Sequence, residues 1–142
     1  GLHFMGKEEL FRNRLFGRIL LAVHAFPVRR GQGDLHAIRE AIKRVKKGGG
    51  LLIFPEGGRS VDGKVGKAHE GIGFLAVKLN VPIVPAYVSG TDKLLPKGSG
   101  KVNPSRVTVT FGKQILVERR MPYQAVADTI MDEIRRLSCA SS

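Results

Sequence analysis

The sequence predicts an α/β domain with helices packed on a central sheet, and three observations carry that expectation. Short, wholly apolar runs that read as buried strands alternate along the chain with longer segments of helical periodicity. The 142 residues suit one ordinary domain. A hydrophobic content of 42%, with seven Phe, supplies a core.

The first segment, residues 7–24, sets Leu10, Phe11, Leu15, Ile19, Leu20 and Val23 at near-helical spacing among basic residues. It reads either as a core-facing helix or as one resting on an anionic membrane. A second helix is signalled by Asp34 as N-cap, an inner face of Leu35, Ile38, Ile42 and Val45, and the stop Gly48-Gly49-Gly50. Leu51 to Phe54, ended by Pro55, reads as a buried strand. After a Gly-rich loop over 56–66, a helix is expected from about Lys67 to Leu79 with Asn80 at its C-cap. Val81 to Val88 is a strand candidate, although Pro82 and Pro85 fit a start or an edge better than a centre. Arg106 to Phe111 alternates as a half-buried strand does. Pro122 opens a last helix with Val126, Ile130, Ile134 and Leu137 inward.

Charge and cysteine content narrow the chemistry. The formal net charge is +12, and residues 1–50 hold 11 basic against 4 acidic side chains. Such an excess favours an anionic partner: nucleic acid, acidic lipid or a phosphorylated ligand. Nucleic acid is not expected, because aromatics are 6% with no Trp, and stacking platforms are scarce. The single Cys139 excludes an internal disulfide framework, and the four scattered histidines have no metal-ligand spacing. No run reaches the roughly 18–20 apolar residues of a bilayer span.

The densest polar chemistry follows the 51–54 strand, in Phe54-Pro55-Glu56-Gly57-Gly58-Arg59-Ser60. Ligands of open α/β sheets bind outside the carboxyl ends of strands. There two glycines allow close backbone approach, and Arg59 offers a guanidinium suited to phosphate. A solvated turn with an ion pair inside the loop is the bland reading. Two catalytic motifs fail here. Gly58 to Val65 spells G-x-x-x-x-G-K-V, without the hydroxyl that a P-loop sets against magnesium. Ser60 lacks the closing glycine of a nucleophile elbow.

The 54–60 segment resembles the F-P-E-G-T-R-S block of the glycerolipid acyltransferases, above all the 1-acyl-glycerol-3-phosphate acyltransferases. Phe4-Met5-Gly6-Lys7-Glu8-Glu9-Leu10 is similar to that family's F-x-A-K-x-E-L segment. Phe26-Pro27-Val28-Arg29-Arg30-Gly31 resembles its F-x-V-D-R block, and Val81-Pro82-Ile83-Val84-Pro85 its V-P-I-V-P strand. The resemblance implies a central mixed β-sheet flanked by helices, of the glycerol-3-phosphate acyltransferase type. It implies acyl transfer from acyl-CoA or acyl carrier protein to the hydroxyl of a lysophospholipid phosphate, at the cytoplasmic face of an anionic membrane and without a cofactor. Lys7 and Arg59 would hold the acceptor phosphate, Arg30 and Glu56 would shape its site, and Gly57 would let the backbone approach. Gly58 and Ser60 complete the block.

Two positions depart from the pattern: Gly58 stands where Thr is usual, and Arg29 where Asp is usual. The family's catalytic N-H-x-x-x-x-D element belongs about twenty residues ahead of the Lys7 block. His3 and Glu8 imitate its spacing but sit within that block, and no catalytic residue is assigned here. The expectation is therefore one acyltransferase domain over 1–142, incomplete at its N-terminus and inactive alone. The contrasting expectation is a non-catalytic basic module that docks on anionic membrane or RNA.

Overall fold

A computed structural model of the chain describes residues 1–28, 35–58, 65–69, 71–96, 98 and 100–140. They pack as two compact units, residues 1–54 and 55–142.

The first unit is a parallel sheet with its connecting helices. Strand β1 (Leu2–Lys7) lies between β2 (Ala25–Val28) and β3 (Gly50–Leu52), and both neighbours run parallel to it. Helix α1 (Arg14–Ala22) links β1 to β2, and α2 (Leu35–Lys46) links β2 to β3. The two connections step in opposite directions along the sheet, so crossovers of one hand place the helices on opposite faces. Side-chain alternation agrees with this placement. His3 and Phe26 meet Arg44 of α2 on one face, while Gly6 on the other meets the Phe11 ring of the turn before α1.

The single helix expected over 7–24 is instead a strand end, a turn and a shorter helix. Lys7 closes β1, Glu8–Phe11 form one 3-10 turn, and α1 starts afresh after Asn13. The Asn13 Oδ1 accepts hydrogen bonds from the amides of Leu15 and Phe16, both at 3.1 Å, and thereby caps the new helix. Gly17 is the buried residue of α1, and a Cβ there would stand 2.8 Å from the Phe11 carbonyl oxygen. The inner face of α2 differs from expectation in part: Ile38, Ile42 and Val45 are half-buried, but Leu35 is exposed and the buried residues are Ala37 and Ala41. Small side chains let this helix lie close to the sheet. Asp34, the expected cap, lies outside the described residues. Strand β3 is at an edge of the three-stranded sheet, so Leu51 and Leu52 are only half-buried and Phe54 is exposed.

The second unit is built around α5 (Tyr123–Ala140). Its Val126, Ile130, Ile134 and Leu137 are all buried, as their spacing predicts, and Ala127 and Met131 join them. Val126, Ile130, Met131 and Ile134 pack with Ala76 and Val77 of α3 (Gly71–Leu79) and with Val117. Gly73 allows the α3–α5 approach, because a Cβ there would overlap the Tyr123 carbonyl. Asn80 ends α3 at φ +50, in the left-handed conformation its C-cap role requires. Helix α3 starts at Gly71, later than expected.

Strand β4 (Ala86–Ser89) pairs antiparallel with β5 (Thr108–Phe111). Pro82 and Pro85 shorten the expected Val81–Val88 strand: Ile83 makes an isolated bridge to Ile115, and regular pairing begins only at Ala86. One short helical turn, α4 (Thr91–Leu94), follows β4.

Candidate functional site

Parallel strands present their carboxyl ends along one edge of a sheet. In the first unit Lys7 ends β1, and its partner in register, Val28, ends β2. Lys7 is exposed, with extended backbone (φ −59, ψ 136) where the strand passes into the 3-10 turn. The resemblance singles out this residue for phosphate, and it stands at the end of the central strand. Arg30, two residues beyond Val28, lies outside the described residues, as does Arg29.

The loop that begins at Pro55 belongs to the second unit. Two hydrogen bonds join its ends. The His69 amide donates to the Pro55 carbonyl at 2.7 Å, and the Gly66 amide donates to Glu56 Oε2 at 2.8 Å. Gly57 takes φ +64, which turns the chain directly after Glu56 in a conformation that a side chain would strain. Gly66 is fitted to the carboxylate, since a Cβ there would come within 2.9 Å of Glu56 Oε2. Its carbonyl accepts from Arg135 Nη2 of α5 at 3.0 Å, and Asp132 holds that guanidinium at 2.8 Å. The Gly66 peptide is thus gripped at both its N–H and its C=O. Gly58 is exposed, and Arg59 and Ser60 lie outside the described residues.

Glu56 was expected to shape an acceptor site, and its visible contact is a brace inside the loop. Gly66 and Arg135 escaped the sequence reading. Their partners are 10 and 69 residues away, and no local pattern marks them.

The amino edge of the sheet carries a separate polar group. Arg44 Nη1 donates to His3 Nδ1 at 3.0 Å, Nη2 pairs with Glu40 at 2.9 Å, and the guanidinium lies 4.8 Å from the Phe26 ring centre. A guanidinium only donates, so Nδ1 is the unprotonated nitrogen. The His24 ring meets His3 edge-on at 5.6 Å. Burial, then the Arg44 and His24 charges, hold the His3 pKa below its ordinary 6.5, against a hydrogen bond to the His24 backbone. A hollow of about 310 Å³ opens here beside Lys43 and Lys47. His3 and Glu8 are separated by the length of β1, roughly 16 Å at about 3.3 Å per residue. They do not form a His–carboxylate pair.

The family model described as Acyltransferase matches residues 1–89, which include every expected site residue. The chain is 33% identical over 135 residues to a chloroplastic 1-acyl-sn-glycerol-3-phosphate acyltransferase of Brassica napus, covering 93% of this chain and 37% of that protein. It is 36% identical over 104 residues to the 1-acyl-sn-glycerol-3-phosphate acyltransferase of Bacillus subtilis, covering 71% and 51%. The crystal structure of the 1-acyl-sn-glycerophosphate acyltransferase PlsC from Thermotoga maritima superposes with a TM-score of 0.78 at 26% identity, over 96% of this chain and 54% of that one. The chain therefore spans between a third and somewhat over half of the length of these relatives. With the family model matched across well over half its length, the chain belongs to the Acyltransferase family.

Proposed function

We propose that this protein transfers a fatty acyl group to the free hydroxyl of 1-acyl-glycerol-3-phosphate, giving phosphatidic acid at the cytoplasmic face of a membrane. The observation that supports the reading most is the exposed Lys7 at the carboxyl end of the central parallel strand, within the matched family segment. The relatives are named for that acceptor.

In this reading the acceptor phosphate binds Lys7 and Arg59 by charge-assisted hydrogen bonds, with Arg30 adding charge. Glu56 and Gly66 brace the loop that begins at Pro55. The donor is acyl-CoA or acyl carrier protein, both acidic, which suits a chain of net charge +12. The acceptor oxygen attacks the thioester carbonyl, a C–O bond forms, the C–S bond breaks, and the thiol leaves with the proton. That step needs a general base near neutral pH. The 142 residues contain no N-H-x-x-x-x-D sequence, and His3 is committed to Arg44. In this reading the 142 residues supply the acceptor site, and turnover depends on a His–carboxylate pair of the family type.

Thioester release is the test, comparing the 142 residues with a version carrying an N-H-x-x-x-x-D segment ahead of residue 1. Release by the longer form only, dependent on lysophosphatidate, is expected. Turnover by the 142 residues alone would overturn the assignment of chemistry.

A second reading, a non-catalytic basic module, draws on the exposed Arg39, Lys43 and Lys46 of α2 and on Lys47 just after it. Equal affinity for RNA and anionic vesicles, with no preference for lysophosphatidate, would favour it.

A further inference from the structure

Helix α1 is packed inside out. At about 100° per residue, Leu15 and Ile19 of the helix, with Val23 just past it, share one stripe, and Phe16 flanks that stripe. Leu15 is 73% exposed, Ile19 53%, Val23 49% and Phe16 46%. Gly17, roughly 160° around the helix from Ile19, is the residue turned inward against the Phe11 carbonyl. The helix therefore meets its own unit through Gly17 and the half-buried Leu20 and turns most of its large apolar side chains to solvent. Such a patch marks a docking surface.

The flanking charge selects the partner. Residues 10–33 contain five arginines and no acidic side chain, and Arg12, Arg14 and Arg18 lie in or beside α1. Two copies meeting through this face would oppose arginines with nothing to neutralise them. RNA would find one aromatic ring among aliphatic side chains. An anionic phospholipid surface satisfies both halves of the pattern, with acyl chains for the leucine and isoleucine and headgroup phosphates for the guanidiniums.

We infer that α1 is an interfacial docking helix that lies on an anionic bilayer through Leu15, Phe16, Ile19 and Val23. The choice of partner rests on the membrane-associated reading above. No helix among the described residues is long and apolar enough to cross a membrane, and docking of this kind requires none.

Vesicle partition tests the inference without any acyl donor or acceptor. The chain has no tryptophan, so Phe16→Trp supplies a single emitter on the face, and Phe111→Trp one on exposed β5. Phosphatidylcholine vesicles containing phosphatidylglycerol should shift only the Phe16→Trp emission to the blue. Leu15→Gln and Ile19→Gln should each weaken partition about ten-fold or more, and Arg18→Gln about five-fold. Leu116→Gln, an exposed apolar site of the second unit, should have no effect.

Equal shifts from both emitters, or equal losses from Leu15→Gln and Leu116→Gln, would overturn the inference. So would a Leu15→Gln/Ile19→Gln pair that dissolves a concentration-dependent dimer and leaves vesicle partition unchanged. The α1 variants should leave acyl transfer to a detergent-dispersed acceptor intact, in a form bearing the catalytic segment. Failure of docking is thereby separated from failure of the proposed reaction.

Discussion

Glu56 is the residue where a binding role and a bracing role can be told apart. Replacing it by Ala removes the acceptor of the 2.8 Å hydrogen bond from the Gly66 amide. Hydrogen bonds to charged groups contribute roughly 1.5–3 kcal/mol. Glu56 is only half-buried, so water competes for the freed amide and the expected cost falls to about 1–2 kcal/mol. For a chain of this size that corresponds to a melting temperature lower by roughly 3–10 °C. Hydrogen exchange at the Gly66 amide should quicken, because that proton loses its partner.

Gln at position 56 still offers an oxygen to the same amide, so Glu56→Gln should lose about half as much. A melting temperature and a Gly66 exchange rate unmoved by Glu56→Ala would refute the brace. Equal losses from Gln and Ala would refute it differently, by showing that the charge matters and the acceptor geometry does not.

Two further substitutions follow from packing and electrostatics. Gly73→Ala forces α3 away from the Tyr123 backbone, and a loss of about 3 kcal/mol or more is expected in urea unfolding, since a backbone contact cannot yield as a side chain does. The depressed pKa of His3 makes the folded state favour neutral imidazole. As pH falls through about 6.5 the unfolded chain takes up the proton first, so stability from this group is present above that pH and is lost as pH drops toward the folded-state pKa. The urea midpoint should therefore decline between about pH 7 and pH 5, and His3→Gln should show a smaller decline.

The parts of the fold that obey local rules were legible in the sequence. Pro122, Val126, Ile130, Ile134 and Leu137 define α5 by spacing alone, and Asn80 marks the end of α3 by its tolerance of positive φ. The helical periodicity counted from Lys7 to Val23 hid the strand end at Lys7 and the 3-10 turn over Glu8–Phe11. The structure interrupts it at Asn13 and turns the apolar stripe of α1 outward. In α2 the visible apolar residues were not the buried ones, since Ala37 and Ala41 gain contact by being small.

Sequence blocks singled out Lys7 and Glu56, whereas the bond from Glu56 to Gly66 and the grip of Arg135 arise from tertiary contact. Arg59 and Ser60, from the block of Glu56, and Arg30, from the Phe26–Gly31 block, lie outside the described residues.

The most direct test of acyl transfer to a phosphate-bearing acceptor is the KM for lysophosphatidate in a form carrying the His–Asp segment, compared with Lys7→Ala and Arg59→Ala. Each lost charge-assisted contact should raise the KM by roughly ten-fold or more with little change in kcat, and monoacylglycerol, which lacks the phosphate, should be a poor acceptor for the parent. An unchanged KM in both variants, or equal turnover of monoacylglycerol and lysophosphatidate, would contradict it.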